Sequence, residues 1–257
     1  MKFTLILGSP RSGTSIVASL IEKMGLDFGI TSENTLDGIY KAGHSFNQRK
    51  DIHLFLAGLN NVENMTKCNT IIDKEIFINN KSQVIKEPYL LFVLDQIRDF
   101  ILNIVFVIRN PTDVISSQKT FIKNNGGGPS LNFQQKWNNY HKLFITSIGD
   151  IPYTVINYNA LLKSPTTTIK NLQNFLKKFL SIDREISLEN SEDLSAYVSN
   201  KFTEDRRVLS ASTMYLYRFI TLNSGDTFIN TIDDSSNAKC FCNSGKKYKK
   251  CCVSFTS

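Results

Sequence analysis

The 257-residue sequence predicts an α/β fold: a parallel sheet with helices on both faces, of the P-loop type, followed by a small cysteine-rich C-terminal motif. Short apolar runs alternate with segments of helical spacing, which is typical of parallel sheets covered by helices. Residues 104–108 are apolar throughout, as expected for a strand buried on both faces. A glycine-containing turn at residues 8–15 joins the first apolar run to the first helical pattern, which is the layout of a phosphate-binding loop.

The first elements follow from the N-terminal third of the chain. Residues 3–7 are apolar and predict a strand, and the segment after the glycine-containing turn carries apolar residues at helical spacing as far as Gly25, a suitable helix C-cap. Residues 26–50 are mixed and contain several glycines, so we expect loop with short helix there. A helix is expected over 51–60, with its apolar residues turned inward.

The rest of the chain carries the remaining strands and helices. Residues 84–86 predict a short strand, and helical spacing predicts a helix over 89–101. After the strand at 104–108, Asn110 is placed to cap a helix that has Pro111 at its first position. The other predicted elements are a helix over 131–148, a strand over 153–158, a helix opening at Ser164-Pro165 and a helix over about 204–221.

Composition limits the classes of function and divides the chain. The net charge is +7, but residues 239–257 hold five lysines and no acid, so subtracting five leaves +2 for the other residues. The basic character therefore belongs to the tail, and we expect no nucleic-acid partner. We expect a main domain over 1–222, a polar linker over 223–238 and a separate motif over 239–257.

Targeting signals are not expected from the apolar pattern. The sequence has no run of about 18 apolar residues, so it predicts no membrane span. The apolar stretch at the N-terminus covers only residues 3–7 and then meets Gly8, which is too short for a signal peptide. These observations favour a cytoplasmic protein.

The loop at residues 8–15 departs from triphosphate-binding loops in one position. Loops of that class read G-x-x-x-x-G-K-[ST], and here Thr14 stands where the lysine is required. A cation occurs instead at Arg11, two residues before Gly13. The loop is therefore expected to hold a phosphate, but not the end of ATP or GTP.

A second anion-binding arrangement is predicted after the strand at 104–108. Arg109 supplies a fork of donors, and Ser116 or Ser117 on the following helix supplies a hydroxyl. The structural alternative is an ion pair between Arg109 and an acid such as Asp113.

Several of the candidate residues come directly after predicted strands. Lys86, Arg109 and Tyr158 each lie at or next to a strand end, as does the loop at 8–15. In parallel sheets ligands bind beyond the carboxyl ends of the strands, so these groups are expected to converge at one edge.

Together these motifs resemble the sulfotransferase family that uses 3′-phosphoadenosine 5′-phosphosulfate (PAPS). The family's 5′-phosphosulfate loop reads P-[KR]-S-G-T-[ST], and residues 10–15 stand in that place. Its 3′-phosphate motif is an arginine followed eight residues later by a serine, and Arg109 and Ser117 keep that spacing. A third segment of the family reads V-x-Y-x-x-L; Tyr158 and Leu161 keep its Y-x-x-L spacing, and Val155 stands three residues before the tyrosine. The resemblance covers about residues 3–180, in the family's order.

The resemblance implies in-line transfer of a sulfuryl group to a hydroxyl or amine of a small-molecule, glycan or peptide acceptor. It implies that Arg11 stabilises the negative charge that develops in the transition state, with Lys86 as a second cation. The residues implied to bind the co-substrate are Arg11, Ser12, Gly13, Thr14, Ser15, Arg109, Ser117 and Tyr158.

The general base is less well specified by the motifs. Relatives use a glutamate in the loop after the first helix, or a histidine further on, and Glu33 lies 22 residues after Arg11. Glu33 is the first candidate, His44 the second and Glu87 the third. Where relatives carry an acidic pair after the tyrosine of the third segment, this chain departs from the family pattern and has Asn159-Ala160.

The C-terminal tail carries a second motif. Four of the five cysteines lie there, at Cys240, Cys242, Cys251 and Cys252, and clustered cysteines in a cytoplasmic chain favour a metal over disulfides. The segment is similar to the SEC-C motif found at the end of the SecA translocation ATPase and in many bacterial proteins. Four thiolates imply a closed, structural zinc site, and the resemblance implies a docking role toward a protein partner.

Two other classes of function remain open from the sequence. One is a nucleotide kinase or NTPase with a degenerate phosphate loop, for which residues 69–73 are faintly like a Walker B strand, although Thr14 argues against it. The other is a non-catalytic adaptor that binds the cofactor and is recruited through the zinc tail.

Overall fold

A computed structural model describes residues 2–29, 52, 53, 56, 67, 68, 71–78, 81–124, 132–182 and 211–222. The strands in this part of the chain are β1 (Phe3–Leu7), β2 (Val84–Lys86), β3 (Ile101–Ile108) and β4 (Tyr153–Asn157). The α-helices there are α1 (Thr14–Lys23), α2 (Glu75–Ile78), α3 (Leu94–Ile97), α4 (Pro111–Asn124), α5 (Phe133–Ser147), α6 (Tyr158–Lys163), α7 (Pro165–Lys177) and α8 (Ala211–Leu222).

The four strands form one parallel sheet, as the sequence predicts, and their order in it is β2-β1-β3-β4. In the register, Ile6 of β1 faces Lys86 of β2, and Leu7 faces Phe106 of β3. Because all four strands run the same way, their carboxyl ends meet at one edge. The loop that follows β1 therefore lies between the end of β2 and the end of β3.

Helices cover both faces of the sheet, which confirms the predicted layering. Side chains alternate along each strand, so neighbouring residues of β3 enter different cores. Val105 packs with α1 and α7 on one face, in a largely aliphatic core. Phe106 packs with α5 and α8 on the other face, in a core rich in aromatic side chains that includes Trp137, Tyr140 and Phe144.

The prediction of one helix over 89–101 is wrong. A 3-10 helix occupies Pro88–Val93, the short α3 follows, a second 3-10 turn covers Arg98–Phe100, and Ile101 already belongs to β3. Residues 90–94 are all buried, whereas an amphipathic α-helix would bury only one stripe. Burial on all sides removes the advantage of a regular 3.6-residue period, and pairing with β1 draws the last residues into the sheet.

Capping residues set several boundaries. Thr112 N donates to Asn110 Oδ1 at 3.0 Å, which confirms the cap predicted for the helix after β3. Asn157 Oδ1 accepts from the backbone N–H groups of Asn159 and Ala160, so the predicted strand over 153–158 ends one residue early and Tyr158 begins α6. Local polar groups thus decide boundaries that apolar spacing leaves open.

Parts of the sequence predictions lie outside the described residues. Ile52, His53 and Leu56 are helical, in agreement with the helix predicted over 51–60. The linker over 223–238, the motif over 239–257 and most of 26–50 are not among the described residues. In the part of the chain that is described, no helix is long and apolar enough to cross a membrane.

Candidate active site

The loop at residues 8–15 has the backbone shape of an anion-binding turn. Arg11 and Gly13 both adopt left-handed conformations, with φ of 74° and 98°, and Ser12 N closes the turn on Ser9 O at 3.0 Å. A Cβ at Gly13 would lie 2.2 Å from Tyr158 Cδ2, so only glycine fits there. Gly13 also caps α1 without a side chain, which leaves the first N–H groups of that helix available to a ligand.

Lys86 lies at the end of β2, beside the start of α1. Its side chain is buried and Nζ donates to Ser15 Oγ at 2.9 Å, in the first turn of that helix. A fixed cation and a helix N-terminus therefore face the same place, and both favour negative charge. The structure thus puts Lys86 next to the predicted phosphate loop.

Arg11 projects from the loop toward α4. Its Nε donates to Ser117 Oγ at 3.1 Å, and its guanidinium lies 5.3 Å from the ring centroid of Phe121. Burial, and then the charge of Arg109, lower the pKa of Arg11 from its ordinary value, so a nearby anion would be stabilising. The two predicted anion motifs are therefore in direct contact, through Ser117.

Arg109 contacts α4, the loop and Tyr158. Its Nε lies 3.7 Å from Asp113 Oδ2, which is the predicted structural ion pair. Its Nη1 also donates to Arg11 O at 3.4 Å, and its guanidinium stacks 4.7 Å from the centroid of Tyr158. The guanidinium is thereby held between α4, the loop and α6.

Tyr158 is a buried residue that packs against the loop. Its side chain is 5% exposed and its ring packs against Gly13 and Arg109. Burial raises the pKa of its phenol, and the nearby charge of Arg109 opposes that shift. The residue after it, Asn159, accepts from Asn110 N at 3.2 Å and so ties α6 to the start of α4.

Two residues that the sequence did not single out form hydrogen bonds with the backbone of the loop. Gln118 of α4 donates from Nε2 to Pro10 O at 2.9 Å. Tyr140 of α5 accepts from Gly8 N at 3.2 Å and donates to Pro88 O at 2.7 Å. Helical spacing predicts both only as inward-facing positions, and no local pattern indicates a bond to a loop distant in sequence.

The candidates for the general base are separated by the structure. Glu87, the third candidate, is 1% exposed, accepts from Tyr89 N, and has Oε2 only 3.0 Å from Nδ1 of the buried His53. It is thus a buried, paired carboxylate that caps the Pro88–Val93 segment. Glu33 and His44 lie outside the described residues.

The Walker B strand considered for residues 69–73 is not formed in its described part. Residues 71–73 have no regular structure, and Asp73 Oδ1 accepts from Glu75 N at the start of α2. The described residues contain no group of three or more His, Cys, Asp or Glu side chains placed to hold a metal ion. The four tail cysteines lie outside the described residues.

The site fits a ligand with several negative charges. Three cations lie in or beside the loop: Arg11 belongs to it, and Lys86 and Arg109 contact it. The hydroxyls of Ser9 and Ser12 are buried in the loop and have no hydrogen-bond partner among the described residues. Buried hydroxyls without partners are uncommon, and an anion in the loop would supply acceptors.

Comparison with known proteins agrees with these motifs. The family model for the sulfotransferase domain matches residues 2–233, and the SEC-C motif model matches residues 237–252. A search of curated proteins gave no significant match.

Solved structures with a similar fold include "Sulfotransferase Domain from the Curacin Biosynthetic Pathway", at 14% identity and a TM-score of 0.50, covering 86% of this chain and 97% of that one. "Sulfotransferase Domain from the Synechococcus PCC 7002 Olefin Synthase" is similar at 14% identity and a TM-score of 0.48, covering 86% and 94%. Because the family model spans most of the chain, the protein belongs to the sulfotransferase domain family and carries a C-terminal SEC-C motif.

Proposed function

We propose that this protein transfers a sulfuryl group from PAPS to a hydroxyl or amine of a small-molecule, glycan or peptide acceptor. The observation that carries the proposal is the contact of the two anion motifs around a loop that lacks the triphosphate lysine. Arg11 bridges them through Ser117 Oγ at 3.1 Å, and Lys86 approaches from the other side. A nucleotide with phosphates at both ends has the charge distribution to use all three cations.

The chemistry asked of the site is an in-line displacement at sulfur. A bond forms between the acceptor atom and sulfur, and the bond from sulfur to the bridging oxygen breaks. The electron pair stays on that oxygen, which leaves as part of 3′,5′-adenosine bisphosphate, while the acceptor proton passes to a base. The negative charge that grows on the bridging oxygen and the sulfuryl oxygens is stabilised by positioned cations and backbone N–H groups.

The roles of the residues follow from their places around the loop. The N–H groups at the start of α1, with Ser12 and Thr14, hold the 5′-phosphate, and Lys86 faces the same end through Ser15. Arg109 and Ser117 hold the 3′-phosphate. Arg11 contacts Ser117 from the loop and is the cation that we assign to the sulfuryl group.

For the proton acceptor we retain Glu33 as the first candidate and His44 as the second. The pairing of Glu87 with His53 and with the backbone of Tyr89 supports a structural role for that carboxylate. A Glu33→Gln variant that binds 3′,5′-adenosine bisphosphate normally but loses transfer would support the first candidate. Equal rates for Glu33→Gln and wild type would exclude it.

Isothermal titration with 3′,5′-adenosine bisphosphate tests the proposal directly. Arg109→Ala is expected to weaken binding about tenfold to 100-fold, because charge-assisted hydrogen bonds are lost. The matched control is Arg98→Ala, since Arg98 binds Ile148 O, Ser147 O and Asp150 away from the site. No binding by the wild type, or equal binding by Arg109→Ala, would refute the proposal.

Two further measurements, a titration with ATP and a transfer screen, separate the other classes of function. Binding of ATP with Mg²⁺, and none of the bisphosphate, would favour a kinase or NTPase. Binding of the bisphosphate without transfer to any acceptor, in a broad screen with labelled PAPS, would favour a non-catalytic adaptor. The same screen identifies the acceptor if transfer occurs.

We also propose that the C-terminal motif binds one structural zinc ion through Cys240, Cys242, Cys251 and Cys252. Four thiolates suit tetrahedral zinc and leave no open position for water, so the metal supplies folding energy and takes no part in transfer. The proposed role of this tail is to dock a protein partner.

Metal analysis of the intact chain tests the zinc proposal. The wild type is expected to hold about one zinc per chain, and Cys251→Ser to hold none. A chain that lacks residues 239–257 is expected to retain sulfuryl transfer but to lose capture of the partner. Absence of zinc from the intact protein would refute the tail proposal without touching the proposed sulfotransfer.

A further inference from the structure

Tyr140 joins the two chain segments that carry the loop and Lys86. It lies on α5, and its side chain is fully buried. Gly8 N donates to its phenol oxygen at 3.2 Å, and the phenol donates to Pro88 O at 2.7 Å. One hydroxyl thus satisfies a backbone donor from the first residue of the loop and a backbone acceptor beyond β2.

The phenol is held firmly in this position. Its ring packs against Phe92 and Phe106, with centroid distances of 6.2 and 6.4 Å. Burial raises its pKa well above the ordinary value, so the hydroxyl keeps the proton that it donates to Pro88 O. Gly8 and Pro88 are themselves buried, so loss of the hydroxyl would leave a backbone donor and a backbone acceptor without it in the interior.

The two backbone groups belong to the segments that carry the phosphate loop and Lys86. Gly8 opens the loop, and Pro88 stands two residues beyond Lys86. The same two segments meet again where Lys86 Nζ donates to Ser15 Oγ at 2.9 Å. Besides the pairing of β1 with β2 in the sheet, side-chain contacts therefore join them in the core through Tyr140 and at the ligand-facing side through Lys86.

We propose that Tyr140 is a positioning residue that fixes Lys86 relative to the phosphate loop, so that both reach one anion together. The proposal rests on the proposed function for the identity of that anion. Tyr140 touches no ligand itself. Its effect passes through the backbone of Gly8 and Pro88.

A purely structural role would have different consequences. Loss of a core hydrogen bond would lower the stability of the fold but leave the ligand affinity of the folded protein unchanged. Any change in ligand affinity caused by loss of the Tyr140 hydroxyl would then be the same with and without Lys86. A positioning role instead makes the effect of Tyr140 depend on the presence of the lysine.

The experiment is a double-mutant cycle, measured as binding of 3′,5′-adenosine bisphosphate to the full chain by isothermal titration. The proteins are wild type, Tyr140→Phe, Lys86→Met and the double variant, held well below their unfolding temperatures. We expect Tyr140→Phe to raise Kd about fivefold to tenfold in the wild-type background and less than twofold in the Lys86→Met background. Phe144→Leu, a core change on the same helix, should lower the unfolding temperature and leave Kd unchanged.

Each outcome decides the proposal. An unchanged Kd for Tyr140→Phe, or the same fold-change in both backgrounds, overturns it. If Tyr140→Phe does not fold, hydrogen exchange of backbone amides in the wild type and in Lys86→Met decides instead. Bisphosphate should slow exchange at Gly8 and Tyr89 in the wild type but not in Lys86→Met. Equal slowing in the two proteins overturns the proposal.

A second probe separates this proposal from the proposed function. If the wild type binds inorganic phosphate but not the bisphosphate, the proposed function fails, and the same cycle measured with phosphate decides the role of Tyr140. If the wild type binds neither, both proposals are overturned.

Discussion

The two halves of the site prepare for negative charge by different means. The loop half consists of residues 8–15 with Lys86, and the arginine half consists of residues 109–117 at the end of β3 and the start of α4. The loop half relies on backbone shape, with left-handed residues, a helix N-terminus and one cation attached to Ser15. The arginine half relies on side chains, with Arg109 already paired to Asp113 and Ser117 to Arg11.

This difference shows how each half responds to change. Backbone shape depends on close contacts, so the loop half should lose most of its affinity for an anion when a single atom is added to it. Side-chain contacts are partly redundant, and a charge that already has a partner loses less when one contact is removed. Single changes in the arginine half should therefore each lower the ligand affinity by a smaller amount.

The largest effect is expected from Gly13→Ala. The new Cβ would lie 2.2 Å from Tyr158 Cδ2, on a backbone with φ of 98°, so the loop and the ring cannot both keep their positions. We expect binding of 3′,5′-adenosine bisphosphate to weaken by more than about 100-fold in isothermal titration, with a loss of stability of about 2–4 kcal/mol.

Gly25→Ala is the matched control for that change. Gly25 also has a left-handed φ, of 89°, but nothing lies within 4 Å of an added Cβ. It should cost about 1 kcal/mol of stability and leave affinity unchanged. Equal affinity losses for the two variants would show that the close contact of Gly13 with Tyr158 is not what makes the loop half sensitive.

A smaller effect is expected from Arg109→Lys. An ammonium group keeps the charge but cannot serve Asp113, Arg11 O and a ligand at once, and it does not stack on Tyr158 as a planar guanidinium does. We expect affinity for the bisphosphate to fall about tenfold by titration. Unchanged affinity would mean that this half needs only a point charge.

Ser117→Ala should weaken binding by about threefold to fivefold. The change removes the hydroxyl that holds Arg11 and leaves the rest of α4 in place. The matched control is Ser116→Ala, one position along the same helix, which should bind as the wild type does. A larger loss for Ser116→Ala would assign the hydroxyl of the anion motif to the other serine.

The smallest effect, of opposite sign, is expected from Asp113→Asn. The carboxylate repels an anion that approaches Arg109, so its neutralisation should tighten bisphosphate binding about twofold at low salt. The gain should vanish as salt is raised, because screening removes the repulsion. Weaker binding would mean that Asp113 mainly holds Arg109 in place.

Much of the fold was predictable from local patterns. The apolar runs of β1, β2 and β3 and the capping sequence Asn110-Pro111 mark elements that the structure contains. The segment after β2 was not predictable in the same way. Its residues are buried on all sides, so their apolar character carries no helical period, and the structure there is a chain of 3-10 and α turns.

The types of residue at the site were also predictable, but their contacts were not. Sequence spacing indicated Arg11, Lys86, Arg109 and Ser117 as anion-binding groups. It gave no sign that Arg11 contacts Ser117, because the two are 106 positions apart. A serine at that spacing would have produced the same pattern whether or not its hydroxyl reached Arg11.

The sequence by itself determined the order of strands and helices, the missing triphosphate lysine at Thr14, and the membership of the sulfotransferase family. Those properties depend on residue types and spacings within short segments. The tertiary structure alone decided that Tyr140 ties Gly8 to Pro88 and that His53 pairs with Glu87. Such contacts join residues 34 to 132 positions apart, and they depend on how helices pack on the sheet, which no local period encodes.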